Sequence, residues 1–323
     1  MTKNDPLQAT VAALTSGQRF LVAAHEGPDG DAMSSTLALT NALREMGKDV
    51  VAYNIDGVPE KFTFLPGSDT VVQQVDEDEH FDVIIILDVG ELRRAKLPAR
   101  KMATTLINID HHPFSEDFGD IYLVDDHASA TAAMLYRVLA QCDYTISSQV
   151  ALCIYTGILS DTGSFRYSSA DPESFEIAGK MVALGVDPWM VAGGLYESQE
   201  VERLQLLGLS LNTLRVSPCG QFAAMTVTQQ MFDQLGVGPE LADSFVNYPR
   251  SVNGVEVALF FREMEAGVYK LGMRSKGTVD VGALARELGG GGHHNAAGAV
   301  LKGSLEEVHA YVFARLGADT TPQ

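Results

Sequence analysis

Short runs rich in Val, Ile and Leu punctuate the first third of the chain: RFLVAA at 19–24, DVVAYNI at 49–55, FDVIIIL at 81–87 and TTLINI at 104–109. Each has the length and composition of a strand. Between the first two, AMSSTLALTNALREMG at 32–47 spaces its apolar residues with a helical period and closes on a glycine. Strand, helix and strand in succession predict a parallel sheet flanked by helices, and in such sheets ligands sit beyond the carboxyl ends of the strands.

Helical patterns follow at 131–141, 147–161 and 171–185, with Ser129 as the cap of the first. After 186–200 the pattern changes. A helix, VERLQLLGLSLNTLRV, leads to strands at 221–227, 255–265 and 267–275, the last two forming a hairpin. The expected organisation is an N-terminal α/β domain over 1–188, a linker over 189–200 and a smaller α/β domain over 201–323.

Composition narrows the function. With 46% hydrophobic and 20% charged residues in a chain of 323, the protein reads as globular and large enough for two cores. Its formal net charge of −19 opposes a long nucleic-acid partner, whose binding depends on Lys and Arg neutralising phosphates. A short anionic substrate fits if metal ions or a local basic cluster reverse the field at one spot. Cys142, Cys153 and Cys219 are odd in number and far apart, which suits reduced thiols better than a disulfide framework. The longest apolar run, VIIIL at 83–87, is too short to span a bilayer and the first residues lack a signal-peptide pattern, so the expected location is the cytoplasm, with no membrane partner.

The chemistry lies where the elements end. FLVAAHEGPDGDA gives His25, Asp29 and Asp31; VIIILDVG gives Asp88; LINIDHH gives Asp110, His111 and His112; GILSDTGSF gives Asp161. A single Asp after a strand is most often a cap or turn residue, and DHH before Pro113 could be a solvated turn. Four such clusters at four element ends favour convergence along one sheet edge. Converging carboxylates repel one another and call for a cation. Mixed carboxylate and imidazole ligands favour Mn²⁺, with Mg²⁺, Co²⁺ and Fe²⁺ as rivals, and a pair of ions sharing a carboxylate and a water is the usual device for phosphoryl transfer.

HEGPDGDAMSS, LDVGE, IDHH and LSDTGSFRY, in that order, resemble the four motifs of the DHH phosphoesterase superfamily, which also includes RecJ-type exonucleases and manganese-dependent pyrophosphatases. LGMRSKGTVDVGALARELGGGGHHNAAG at 271–298 resembles the DHHA1 substrate-binding domain. Length and layout match the NrnA-like group of bifunctional oligoribonucleases and pAp phosphatases, where pAp is 3′-phosphoadenosine 5′-phosphate. The resemblance implies one metal on His25, Asp29 and Asp88, and a second on Asp31, Asp88, His111 and Asp161, with Asp88 as the bridge. It also implies His112 beside the substrate phosphate and Asp110 orienting a histidine. Ser34 stands where the family often has glycine, on the helix beyond the ligands.

The run GGGG at 289–292 reads by itself as a flexible hinge. With the resemblance, Arg274, Ser275, Gly291, Gly292 and His293 become a phosphate or nucleotide cradle, and His294 a mere neighbour. The remaining polar residues are bland: DEDEH at 76–80 is a solvated loop, Arg166 serves either a substrate phosphate or a surface ion pair, and Cys153 packs in the core. The implied activity is metal-dependent hydrolysis of short RNA oligonucleotides and of pAp, in a cleft that the two domains share. Its rivals are pyrophosphate hydrolysis, cyclic-dinucleotide or pApA phosphodiesterase activity, and nucleotide binding without turnover. The assembly state, homodimer included, stays open.

Overall fold

The computed structural model describes residues 5–317, the side chain of His293 excepted. They divide between Ser198 and Gln199 into two compact units.

In chain order the first unit contains α1 (Pro6–Ser16), β1 (Arg19–Ala23), α2 (Gly30–Glu45), β2 (Asp49–Tyr53), β3 (Val71–Val72), β4 (Phe81–Leu87), α3 (Ala99–Met102), β5 (Ala103–Asp110), β6 (Ile121–Val124), α4 (Thr131–Leu139), α5 (Ser148–Asp161), α6 (Pro172–Ala183) and α7 (Pro188–Tyr196). The strands form a parallel sheet in the order β3-β2-β1-β4-β5-β6. This is a doubly wound order. The connection reverses direction between β1 and β4, the point where such sheets leave a crevice for ligands. The four predicted strands are present; β3 and β6 are additions, and each is short.

The sheet is buried on both faces. Val22, Val83, Ile85 and Ile107 belong to the core beneath α2, α4 and α5, while Leu21, Ile84, Ile86 and Leu106 belong to the core on the other side. Two-sided burial explains why β4 reads as the unbroken run VIIIL. Helix α2 is buried from Gly30 to Leu43 and packs on α5, α4 and β2.

The residues expected to form a linker at 189–200 instead carry most of α7. Asp187 caps this helix by accepting the Trp189 N–H, Pro188 occupies its first turn, and Val191 and Leu195 are buried in the first core. An N-cap with proline in the first turn is a strong helix start. The division between Ser198 and Gln199 falls inside the 189–200 stretch, after this helix.

The second unit contains α8 (Val201–Leu211), β7 (Arg215–Val216), β8 (Phe222–Val227), α9 (Gln229–Leu235), α10 (Asn247–Arg250), β9 (Val257–Glu265), β10 (Val268–Ser275), α11 (Val281–Glu287), β11 (Gly291–His293), β12 (Ala296–Lys302) and α12 (Leu305–Arg315). Its sheet runs β11-β12-β10-β9-β8-β7, antiparallel except where β8 meets β9. The hairpin β9–β10 is as expected, with a register shift at its turn. Among the described residues no helix is long and apolar enough to cross a membrane.

Candidate metal centre

The carboxyl ends of β1, β4 and β5 bring the predicted residues together. His25 follows β1 and is buried; its Nδ1 lies 2.8 Å from the Glu26 carbonyl, which holds Nε2 toward Asp88 Oδ2 at 3.7 Å. Asp29 is the N-cap of α2, where Oδ1 accepts the N–H groups of Asp31 and Ala32. Asp31, in the first turn of α2, is 1% exposed. A Cβ at Gly30 would overlap the Ser160 side chain on α5, so a larger residue there forces one of the two helices to shift. That close approach of α2 and α5 brings the start of one helix beside the end of the other, where Asp161 stands.

Asp88 follows β4 with a φ of +59°, a left-handed conformation that costs a non-glycine residue about 1–2 kcal/mol. Its backbone N–H still donates to the Ile109 carbonyl on β5. His111 Nδ1 lies 3.1 Å from the Ala128 carbonyl, and Nε2 stands 3.5 Å from Asp88 Oδ1, 3.5 Å from Asp161 Oδ2 and 3.9 Å from Asp31 Oδ2. Asp110 is fully buried at the end of β5, where Oδ1 accepts the backbone N–H of His112 at 3.2 Å and lies 2.7 Å from its Nδ1.

Three sets of donor atoms have mutual distances within 4.8 Å: His25, Asp29 and Asp88; Asp31, His111 and Asp161; and Asp88, His111 and His112. Oxygen and imidazole nitrogen donors gathered in this way can hold divalent cations. Asp88 faces His25 through Oδ2 and His111 through Oδ1, so one carboxylate adjoins both sides of the cluster.

The electrostatics point the same way. Burial pushes the Asp31 carboxyl well above its usual range, and the charges of Asp88 and Asp161 push it further. Asp161 is raised to about 6 by burial and by Asp88 and Asp29, against the pull of His111. Burial alone would lower His111, but Asp161, Asp31 and Asp88 together lift it to about 9. Burial also opposes ionisation of Asp88, and the hydrogen bond with His25 and the charges of His112 and His111 overcome it and hold the carboxyl low. Crowded, partly protonated acids are the signature of a site built around positive charge.

Several expectations need correction. Ser129 does not cap α4: the cap is Ala130, which supplies no side-chain hydrogen bond, and Ser129 Oγ is buried without a partner among the described residues. The free N–H groups at the helix start are taken from a distance, Thr131 N–H donating to Asp31 Oδ2 at 2.6 Å and Ala132 N–H to Asp31 Oδ1 at 3.1 Å. Thr131 also donates its hydroxyl to Asp88 Oδ1 at 3.1 Å. Neither Thr131 nor Ser35, which donates to Asp31 Oδ1 at 3.0 Å, was predicted as a site residue. Arg166 Nε donates to the Gly163 carbonyl, while His127 is exposed beside Asp126. Cys153 packs in the core as expected, and burial pushes its thiol up to about 12. Ser34 is buried on α2 and belongs to none of the three donor sets.

In the second unit the predicted cradle residues share one end of the sheet. Arg274 and His293 both pair in register with Ala296, from opposite sides of β12. Arg274 Nη1 donates to the Met273 carbonyl. Ser275 is buried and its hydroxyl donates to Asn295 Oδ1 at 3.0 Å. The glycine run is not a hinge: Gly291 and Gly292 belong to β11, and a Cβ at Gly290 or Gly292 would collide with the β12 backbone. Those two glycines allow close strand passage, whereas a Cβ at Gly291 would meet nothing within 4 Å. His294 Nε2 lies 3.0 Å from the Gly277 carbonyl. The expectation at the His293 side chain lies outside the described residues.

A family model described as the DHH family, N-terminal domain, matches residues 19–158, and one described as the DHHA1 domain matches residues 220–317. The chain belongs to the DHH family. Among curated relatives of this DHH protein, the bifunctional oligoribonuclease and PAP phosphatase NrnA of Thermus thermophilus is 32% identical over 305 residues, covering 93% of this chain and 90% of the relative. The NrnA protein of Bacillus subtilis is 28% identical over 279 residues, covering 85% and 87%. Among solved structures, an exopolyphosphatase-related protein from Bacteroides fragilis superposes on this DHH chain with a TM-score of 0.89 at 28% identity, covering 96% of this chain and 94% of that one.

Proposed function

We propose that this DHH-family chain is a metal-dependent phosphoesterase that hydrolyses short oligoribonucleotides to mononucleotides and dephosphorylates pAp to AMP. The observation that carries the reading is Asp88, whose two oxygens face His25 on one side and His111 on the other, at the switch point of the sheet. The substrates come from the relatives' named activity, which spans nearly the whole chain.

In this reading His25, Asp29 and Asp88 hold one divalent ion, and Asp31, Asp88, His111 and Asp161 hold the second. Manganese suits this mixture of carboxylate and imidazole, with Mg²⁺, Co²⁺ and Fe²⁺ as competitors. When bound, the ions supply an activated water and neutralise charge on the phosphoryl oxygens. The protein's part is positioning. Asp110 keeps Nδ1 of His112 protonated and directs Nε2 to the substrate phosphate, where the ring donates a proton or hydrogen bond. The candidate nucleotide contacts are Arg274, Gly291, Gly292 and His293, with Ser275 acting through its bond to Asn295. A net charge of −19 disfavours long polymers and leaves short substrates.

The test is one panel: purified protein with Mn²⁺, offered pAp, RNA of two to five nucleotides, pApA and pyrophosphate, beside Asp88→Ala. Turnover of pAp and short RNA that disappears in the variant supports the proposal. Equal turnover in both proteins, or turnover of pyrophosphate alone, contradicts it.

A further inference from the structure

Thr131 is fully buried at the first position of α4 and touches both sides of the cluster. Its backbone N–H reaches Asp31 Oδ2 at 2.6 Å and its hydroxyl reaches Asp88 Oδ1 at 3.1 Å. Asp31 comes from α2 and Asp88 follows β4, so a single residue of a third element bridges two buried carboxylates.

The kind of donor matters. Two acids held close inside a protein repel, and the common remedy is a Lys or Arg that cancels their charge. Here the donors to Asp31 are the Thr131 and Ala132 amides and the Ser35 hydroxyl, and Thr131 Oγ1 donates to Asp88. Unlike a Lys or Arg, these neutral donors orient the two carboxylates without bringing a permanent positive charge that would repel a divalent ion. The hydroxyl also takes one lone pair of Asp88 Oδ1, the oxygen that faces His111, and leaves Oδ2 toward His25.

We infer that Thr131 is a positioning residue: its hydroxyl locks Asp88 into the orientation that serves both halves of the centre and thereby sets the affinity for divalent cations. The inference rests on the proposed metal-dependent function.

Thr131→Val keeps the shape and the backbone donor but removes the hydroxyl, Thr131→Ala removes both γ atoms, and Thr131→Ser restores the hydroxyl. The measurement is Mn²⁺ binding to each metal-free protein by titration calorimetry, with thermal melts of the metal-free forms and the kcat and KM of pAp hydrolysis alongside. Loss of an outer partner of a metal ligand typically weakens metal binding 10- to 100-fold. A loss of that size is expected in the Val and Ala variants, with near-wild-type affinity in Ser, a lower kcat that recovers at high Mn²⁺, and an unchanged KM. If Val does not fold, the Ala and Ser pair makes the same comparison. Val or Ala variants that bind Mn²⁺ like wild type overturn the inference, as does a Ser variant as weak as Val. In those cases the wild type still binds and turns over, and the functional proposal survives. A wild type that takes up no Mn²⁺ overturns both.

Discussion

Asp110 Oδ1 lies 2.7 Å from His112 Nδ1 and accepts the backbone N–H of the same histidine at 3.2 Å. Burial works to lower His112, and the hydrogen bond to Asp110 together with the charges of Asp88 and Asp110 raises it above the usual histidine range. The protonated ring therefore persists to a higher pH than in a free histidine. In Asp110→Asn that support is lost, so the alkaline limb of the kcat profile is expected to move to lower pH. Turnover should drop about 10- to 100-fold with little change in Mn²⁺ affinity, as for other residues that orient a functional group. A pH–rate series on both proteins checks this, and superimposable profiles contradict it.

Metal loading should release protons. In the metal-free centre His111 is lifted to about 9 and Asp161 to about 6, so at pH 7.5 the imidazole carries a proton that a cation must displace. Mn²⁺ affinity is expected to rise from pH 6 toward pH 9. The heat of binding at pH 7.5 should also differ between buffers of unequal ionisation enthalpy, and a buffer-independent heat contradicts the expectation.

The start of α2 is fixed by steric necessity. Gly30→Ala forces a methyl against Ser160 and should cost about 1–3 kcal/mol, the usual range for overpacking, while displacing Asp29 and Asp31. Ser160→Gly opens the space, so the double variant should regain both melting temperature and Mn²⁺ binding. Independent, additive losses contradict this coupling.

His309 carries a pH effect of its own in the second unit. It is 6% exposed, tilted against the Phe261 ring with centroids 4.1 Å apart, and within hydrogen-bond distance of Thr226 Oγ1. Burial and then the Arg215 charge lower it to about 4, with Glu306 opposing. The unfolded chain, with a pKa near 6.5, binds the proton first, so stability falls as pH drops from about 6.5 toward 4, by on the order of 3 kcal/mol across the window. Hydrogen exchange of β8 and β9 at pH 7 and pH 5 should show earlier opening in acid, and His309→Gln should reduce that sensitivity. Equal acid sensitivity in the variant contradicts it.

Asp88 and His111 are legible because they stand where apolar runs stop: Asp88 closes VIIIL and Asp110-His111 follows LINI, and those runs end at one edge once they pair in parallel. Local pattern could not reveal what depends on distant packing. Thr131 lies 43 residues from Asp88 and 100 from Asp31, and nothing near it in the chain announces either partner. The same distance effect applies to Ser129, a good cap by type whose task is done by Asp31. Helix α7 is masked in the sequence because the change of pattern after it outweighs Asp187 and Pro188 as a start signal. The glycine run was ambiguous by nature, since bare backbone suits a hinge and a tight strand pairing equally.

The central claim is that the acids and imidazoles at the switch point hold two divalent ions that share Asp88. Anomalous diffraction at the manganese edge from crystals grown with Mn²⁺ tests it most directly. The expected result is two peaks, one among His25, Asp29 and Asp88 and the other among Asp31, Asp88, His111 and Asp161. A map with no peak beside Asp88, from protein that still hydrolyses pAp, would contradict it.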